Sequence, residues 1–267
     1  LKKIGIIEKS IDKGFLVGTK EIEKENFNEI KNGELIIEHD KVPYISYPYE
    51  WSFSQLKNAA IFHLDFHLFL LANDATLIDA SAYNIQFIGS KLKFIDVLSI
   101  QKYNQGEYWR GHKQFCENFL NPLILKSKKG IKFNNWFKGN LEGIETNELN
   151  NLLGVFDKFS YNIFVHVHLL NKLEEKYTSK KTLKPVAQNK NKISKKNFMA
   201  MLSQLRGFIS GLKDYKKIST WDDYSTNNSY SNEDKNKKID LVSKFCKKNN
   251  FYLIADLGCN DGEYSTL

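Results

Sequence analysis

Apolar positions along the chain change period several times, and each change marks an element. Before residue 50, the runs IGII, GFLVGT and ELIIEH are short, apolar or alternating, and punctuated by Gly14, Gly18 and Gly33, which predicts strands. KVPYISYPYEW follows, with Pro43 and Pro48 favouring extended backbone. From 54 to 72 the period becomes helical: Leu56, Ala60, Leu64, Phe66, Leu68 and Leu71 make a wide apolar face, with Ser54 placed to cap it. Residues 85–88 (IQFI) and 92–98 (LKFIDVL), joined through Gly89 and Ser90, predict a hairpin. Helical patterns return over 108–126, with Pro122 as a kink, and over 147–176. Residues 177–193 are Lys/Asn-rich and predict a mobile, dispensable loop; 194–213 predict a helix capped by Ser194. A polar stretch from Thr220, carrying Trp221, Tyr224 and Tyr230, leads to a helix over about 235–248 and then to the apolar strand FYLIADLG.

Composition narrows the class. Of 267 residues 42% are hydrophobic and 13% aromatic, enough for a sizeable core and incompatible with a wholly disordered chain. No apolar run reaches the roughly 20 residues of a membrane-spanning helix; Ala59–Ala72 is broken by His63, Asp65 and His67. The opening LKKIGIIEKS lacks the pattern of a secretory signal. Cys116, Cys246 and Cys259 are odd in number and far apart, giving no disulfide framework or metal spacing, so a reducing cytoplasm is expected. The start at Leu1 and the stop at Leu267, just after a Gly-containing loop, suggest a piece of a longer protein. The net charge of +8 gathers between Lys172 and Lys196, where nine lysines meet two glutamates. With no Arg and only Tyr177 among them, a solvated linker is favoured over a nucleic-acid surface.

The sharpest chemical signal is FYLIADLGCNDGEYS, residues 251–265. An apolar strand runs into Asp256, then Gly258, Asn260 and Gly262, the strand–loop by which doubly wound α/β domains cradle a nucleoside. Gly258 lets backbone approach a ligand, Gly262 lets a following helix pack closely, and Asn260 tolerates left-handed backbone. The spacing is neither the dinucleotide nor the phosphate-loop fingerprint. It resembles motif I of class I S-adenosylmethionine (SAM)-dependent methyltransferases, with Asn260 in place of the middle glycine. YPYEWSFSQLKNAA, IDASAYNIQF, FIDVLS and WRGHKQFCENFLNPL, in that order upstream, are similar to a family of such bacterial enzymes related to a rhizobial host-specific nodulation protein. The resemblance implies SAM as cofactor, held by Asp256, Gly258, Asn260 and Gly262, and an unknown methyl acceptor. It also implies that the methyltransferase domain is cut after its first strand, leaving this piece inactive alone.

A second constellation lies upstream. Asp79 and Asn84 stand five apart in DASAYN, and Asp96 follows beyond the hairpin in FIDVL. Helix, D-x4-N loop, two short strands and an Asp resemble a degenerate kinase-like carboxyl lobe. In that resemblance Asp79 would take a hydroxyl proton, and Asn84 and Asp96 would hold Mg²⁺. Leu77-Ile78 replaces the usual His-Arg, and Val97-Leu98 replaces Phe-Gly. No Gly-rich phosphate loop is visible, so a triphosphate would be held weakly.

His63 and His67, one turn apart, could pair on a metal, but no third ligand is predictable, and a helix edge suits them better. His166 and His168, two apart on a helix, should diverge. The expected architecture is α+β: a β-rich lobe over 1–50, a mainly helical kinase-like module over 51–176, a linker plus helix over 177–219, and the first strand–loop of a truncated Rossmann-like methyltransferase domain over 220–267. The expected function is methyl transfer from SAM. A kinase-like phosphotransferase or nucleotide-binding pseudokinase and a non-enzymatic basic interaction module are the alternatives.

Overall fold

A computed structural model describes residues 5–22, 36–172, 193–215, 231–249, 251–259 and 262–266. The chain divides into two compact units, Leu1–Tyr215 and Lys216–Leu267, each described by itself.

The first unit opens with helix α1 (Ile6–Asp12), where the IGII run had suggested a strand. Gly5 enters it at φ 56°, and the Ser10 hydroxyl donates back to the Ile6 carbonyl at 2.6 Å, turning both onto the buried face. The chain then runs along the hairpin to come. The Phe94 amide donates to the Phe15 carbonyl at 2.8 Å and the Val17 amide to the Phe94 carbonyl at 2.9 Å. Strands β1 (Thr19–Ile22) and β2 (Ile36–His39) pair antiparallel.

Helix α2 (Phe53–Ala72) is the axis of the unit. Its cap is Ser52, two residues before the expected Ser54. The Ser52 hydroxyl accepts from the Gln55 amide at 3.2 Å, and the Gln55 side chain accepts from the Ser52 amide at 2.8 Å, a reciprocal box. The helix buries most of its circumference: Leu56, Ala59, Ala60, His63, Leu64, Phe66, His67, Leu70 and Leu71 are all inside. His63 and His67 are therefore core residues, not edge residues. Strands β3 (Ala75–Leu77) and β6 (Ile100–Lys102) pair antiparallel, as do β4 (Ile85–Ile88) and β5 (Lys91–Phe94). Gly89, at φ 60°, takes the first central position of the two-residue β4–β5 turn, where glycine is favoured.

The helix predicted over 108–126 runs as α3 (His112–Phe115), a π-helical segment Cys116–Leu120 and α4 (Asn121–Lys129). Pro122 lies two residues after the π-helical segment of the same continuous helix, where the widened ladder accommodates its missing N–H. Short helices α5 (Asn134–Gly139) and α6 (Thr146–Leu152) follow. The expected helix 147–176 is broken after Leu152. Beyond Gly154 the chain exposes Val155, Phe156 and Phe159, then re-enters helix at α7 (Tyr161–Ile163) and a second π-helical segment, Phe164–Leu169. Helix α8 (Lys195–Gly211), capped by Ser194 as predicted, lies along α2 and buries Phe198, Leu202, Leu205 and Ile209, one ridge at helical spacing. Arg206 clamps Asp65 of α2 through two bonds, one of them Nη2 to Oδ2 at 2.9 Å.

In the second unit, α9 (Asn232–Asn249) has no buried residue. The apolar run that follows has no strand geometry among its described residues, and Tyr252, Leu253 and Leu257 are exposed. A strand needs a hydrogen-bonded neighbour, and no described residue pairs with this run. The loop 177–193 falls outside the described residues except Ile193, as do Trp221, Tyr224, Tyr230 and Asn260.

Candidate functional site

The loop between β3 and β4 carries Asp79 and Asn84, and its shape follows from short-range bonds. Asp79 Oδ1 accepts from the Ser81 amide at 2.7 Å, an Asx turn. Ser81 then accepts the Tyr83 amide at 3.3 Å and caps the single helical turn Ala82–Asn84. Across the hairpin the Ile95 amide donates to the Asn84 carbonyl at 2.9 Å, so Asp96 emerges beside Asn84.

Asp96 is held from three sides. Its Oδ1 accepts the Leu98 amide at 2.9 Å, its Oδ2 accepts the Ser99 hydroxyl in a short contact, and Asn84 Nδ2 approaches the same Oδ2 at 3.5 Å. The Ser99 carbonyl accepts the Ile78 amide at 3.0 Å. One serine thus ties Asp96 to the residue before Asp79. The structure brings Asn84 and Asp96 into contact and sets Asp79 on the adjoining strand end. All three are partly exposed, which leaves their oxygens accessible.

Residues that the sequence reading did not single out position this loop. Gln114 Oε1 accepts the Ala80 amide at 2.8 Å, and Asn118 Oδ1 accepts the Ala82 amide at 3.0 Å, while Asn118 Nδ2 donates to the Glu142 carbonyl at 2.9 Å. The signal was present: two amides four apart on a predicted helix share one face. Gly111 lets that helix approach, since a Cβ there would lie 3.0 Å from the Ala80 Cβ.

The donor set suits a hard divalent cation. One carboxylate, Asp96, and one amide, Asn84, offer oxygens, and rotating the Asn84 amide about its terminal torsion puts Oδ1 where Nδ2 now faces Asp96. In such a site Asp96 and Asn84 would hold the ion, which would neutralise phosphate oxygens, leaving Asp79 to accept a proton.

The second candidate loop has a different character. Gly258 and Gly262 both adopt left-handed backbone, at φ 79° and 81°. Asp256 Oδ2 accepts from the Ser265 hydroxyl at 2.7 Å, closing the loop on itself. Among the described residues nothing lies within 4 Å of a Cβ built on Gly258, which leaves that position open. Asp256 is exposed, as is the backbone around it.

Among the described residues no helix is long and apolar enough to cross a membrane. His166 and His168 do diverge: His168 Nδ1 meets Asn150 Oδ1 at 3.1 Å, while His166 Nδ1 meets His112 Nε2 at 2.9 Å.

Comparison with known proteins identifies a curated relative, nodulation protein NoeA of Rhizobium meliloti (strain 1021), 40% identical over 263 residues. The match takes in 97% of this chain and 55% of the relative, so the chain spans about half that protein's length. No family model and no solved structure matches. These findings correct the resemblance to class I methyltransferases and to a kinase-like lobe. Neither family's model matches the chain, and the relative's name speaks of nodulation, not of methyl or phosphoryl transfer.

Proposed function

We propose that residues 75–102 form a Mg²⁺-dependent site for a nucleotide phosphate, of the phosphotransferase or nucleotide-binding pseudoenzyme kind. The observation that carries the reading is the meeting of Asn84 with Asp96 beside the Asp79 turn, on a loop fixed by Gln114 and Asn118. A carboxylate and an amide oxygen on a rigid hairpin can hold a cation that bridges phosphate oxygens. Asp79, on the adjoining strand end, then serves as the proton acceptor for an attacking hydroxyl. Without a recognised phosphate loop or its lysine, binding is weak. The test uses Mn²⁺ as a paramagnetic substitute in the presence of ATP. Amide resonances of 78–84 and 95–99 should broaden, and Asp96→Asn should abolish the effect. Broadening confined to other residues, or none at any ATP concentration, would sink the reading.

A second reading keeps SAM binding, and methyl transfer to an unidentified acceptor, at Asp256–Gly262. The specific observation in its favour is the pair of left-handed glycines with open space over Gly258. Calorimetry with SAM should show binding that Gly258→Val removes; unchanged affinity in the folded variant would eliminate the assignment. The odd number and wide spacing of Cys116, Cys246 and Cys259 favour a reducing, cytoplasmic setting for either reading.

A further inference from the structure

Both π-helical segments of the first unit face the same spot. Such one-residue widenings of a helix cost hydrogen-bond geometry and cluster at functional sites. Cys116 opens the first and His166 lies on the second, while His112 stands one turn before Cys116. His112 Nε2 and His166 Nδ1 are 2.9 Å apart, and Cys116 Sγ lies 3.7 Å from His112 Nε2. One ligand atom from each residue falls within 4.8 Å of both others. We propose that His112, Cys116 and His166 bind a borderline-soft transition-metal cation, with Zn²⁺ as the ion.

The chemistry of the three donors selects that class. Two imidazole nitrogens and a thiolate favour zinc over the oxygen-seeking Mg²⁺ and Ca²⁺. Zn–N bonds of about 2.0 Å and a Zn–S bond of about 2.3 Å imply donor separations near 3.3 Å for N···N and 3.6 Å for N···S in a tetrahedral site. The His112–Cys116 spacing already fits, the two rings must part by a few tenths of an ångström, and the Cys116 and His166 ligand atoms, within 4.8 Å of each other, close on the ion. The metal replaces the hydrogen bond between the rings. The ring proton moves to the nitrogen of His112 or His166 that faces away from the ion, and the Cys116 thiol releases its proton to solvent, so one proton leaves per ion bound. Trp109 packs on the His112 ring at 5.6 Å between centroids and screens that side. Cys116 and His166 are buried and His112 partly exposed, so the ion enters past His112 and keeps a fourth position for water or an external ligand.

The test titrates the full chain with Co²⁺ and then displaces it with Zn²⁺. One equivalent of Co²⁺ should give the thiolate-to-cobalt charge-transfer band, which Zn²⁺ should quench. Cys116→Ser should remove the band and weaken Zn²⁺ binding about 100-fold. Should that variant fail to fold, the double variant Cys246→Ser/Cys259→Ser decides the matter, since it leaves Cys116 as the sole thiol. Retention of the band there supports the site; its loss overturns it. A band unchanged in folded Cys116→Ser, or no stoichiometric Co²⁺ binding to the wild type, also overturns it.

Discussion

Two loops of this chain carry Asp and small or amide-bearing residues at suggestive spacing, and they are built in opposite ways. The Asp79–Asn84 loop is anchored: its amides are taken up by Gln114 and Asn118, and its neighbour Asp96 is tied through Ser99. The Asp256–Gly262 loop closes through Asp256 and Ser265, and its flank meets α9 through surface pairs, Lys235 with Glu263 and Lys238 with the Tyr264 ring, next to an exposed apolar run. The difference lies in the support. A site acts on a ligand with little reorganisation only when a second layer of residues fixes the first, and only the upstream loop has that layer among the described residues.

The comparison breaks most severely at Gly143. Its φ is 91°, and a Cβ there would stand 2.3 Å from the Glu117 carbonyl oxygen. That carbonyl accepts the Ile144 amide at 3.0 Å, on the helix that presents Asn118. Gly143→Ala should cost about 4 kcal/mol, from left-handed strain plus a backbone clash. Urea denaturation of the first unit should show it; a loss below about 1 kcal/mol would contradict this packing. Asn118→Leu comes next. It strands the Ala82 amide and the Glu142 carbonyl without their partners and should cost about 3 kcal/mol. It should also loosen the Asp79–Asn84 loop, seen as faster amide hydrogen exchange at residues 80–84 with no change in α9.

Acid provides a third contrast. His63 is wholly buried, neither ring nitrogen has a hydrogen-bond partner among the described residues, and burial pushes it down to about 3. His67 is pushed well below its ordinary value by burial and by His63. The unfolded chain takes up protons near pH 6.5, the folded chain only far below. Stability from this source is therefore complete above about pH 6.5 and falls as pH drops from there toward 3. His63 alone should cost about 2 kcal/mol by pH 5. His63→Phe keeps an aromatic ring among Phe94, Trp109, Phe115 and Phe119 and removes the titrating group. It should flatten the loss between pH 6.5 and 5 by that amount. An unchanged pH profile would show that His63 titrates normally. Helix α9 buries nothing and should show no such dependence.

These contrasts mark what the sequence could reveal. The meeting of Asn84 with Asp96 was legible because it is written locally: Asp79 and Ser81 make their turn by neighbour bonds, and Gly89 at its turn position sets the hairpin register that returns Asp96 to Asn84. Helix α8 was legible by period and cap, and α2 by period, its cap lying at Ser52 and not at Ser54. The α1 helix was missed because four apolar residues suit a strand or a buried helix equally, and only Ile6 and Ser10 meeting the core decides between them. The histidine–cysteine cluster was missed because its members lie 54 positions apart from His112 to His166 and meet only through tertiary packing. Burial of His63 and His67 was missed for the same reason, since the faces of α2 they occupy are covered by elements far along the chain. The run 251–257 was read as a strand from its apolar residues alone, and a strand is a property of a pair, not of one segment.

The smallest effect is expected at Gly258, and it sharpens the comparison because it acts on conformation alone. Among the described residues nothing lies within 4 Å of a Cβ at this position, so Gly258→Ala meets no clash with them. What remains is the cost of holding alanine at φ 79°, about 1 kcal/mol, and it falls on the loop, not on a core. The loop should relieve that cost by leaving the left-handed region, since its described restraints are the Asp256–Ser265 bond, local turns, and the Lys235–Glu263 and Lys238–Tyr264 contacts to α9, none of which fixes the backbone at Gly258 itself. Thermal denaturation of the first unit should be unchanged within error, in contrast to Gly143→Ala. Scalar couplings at residue 258 should report a shift toward negative φ. An alanine that stays at positive φ, or a measurable loss in the first unit, would show that this loop is as firmly supported as the one around Asp79.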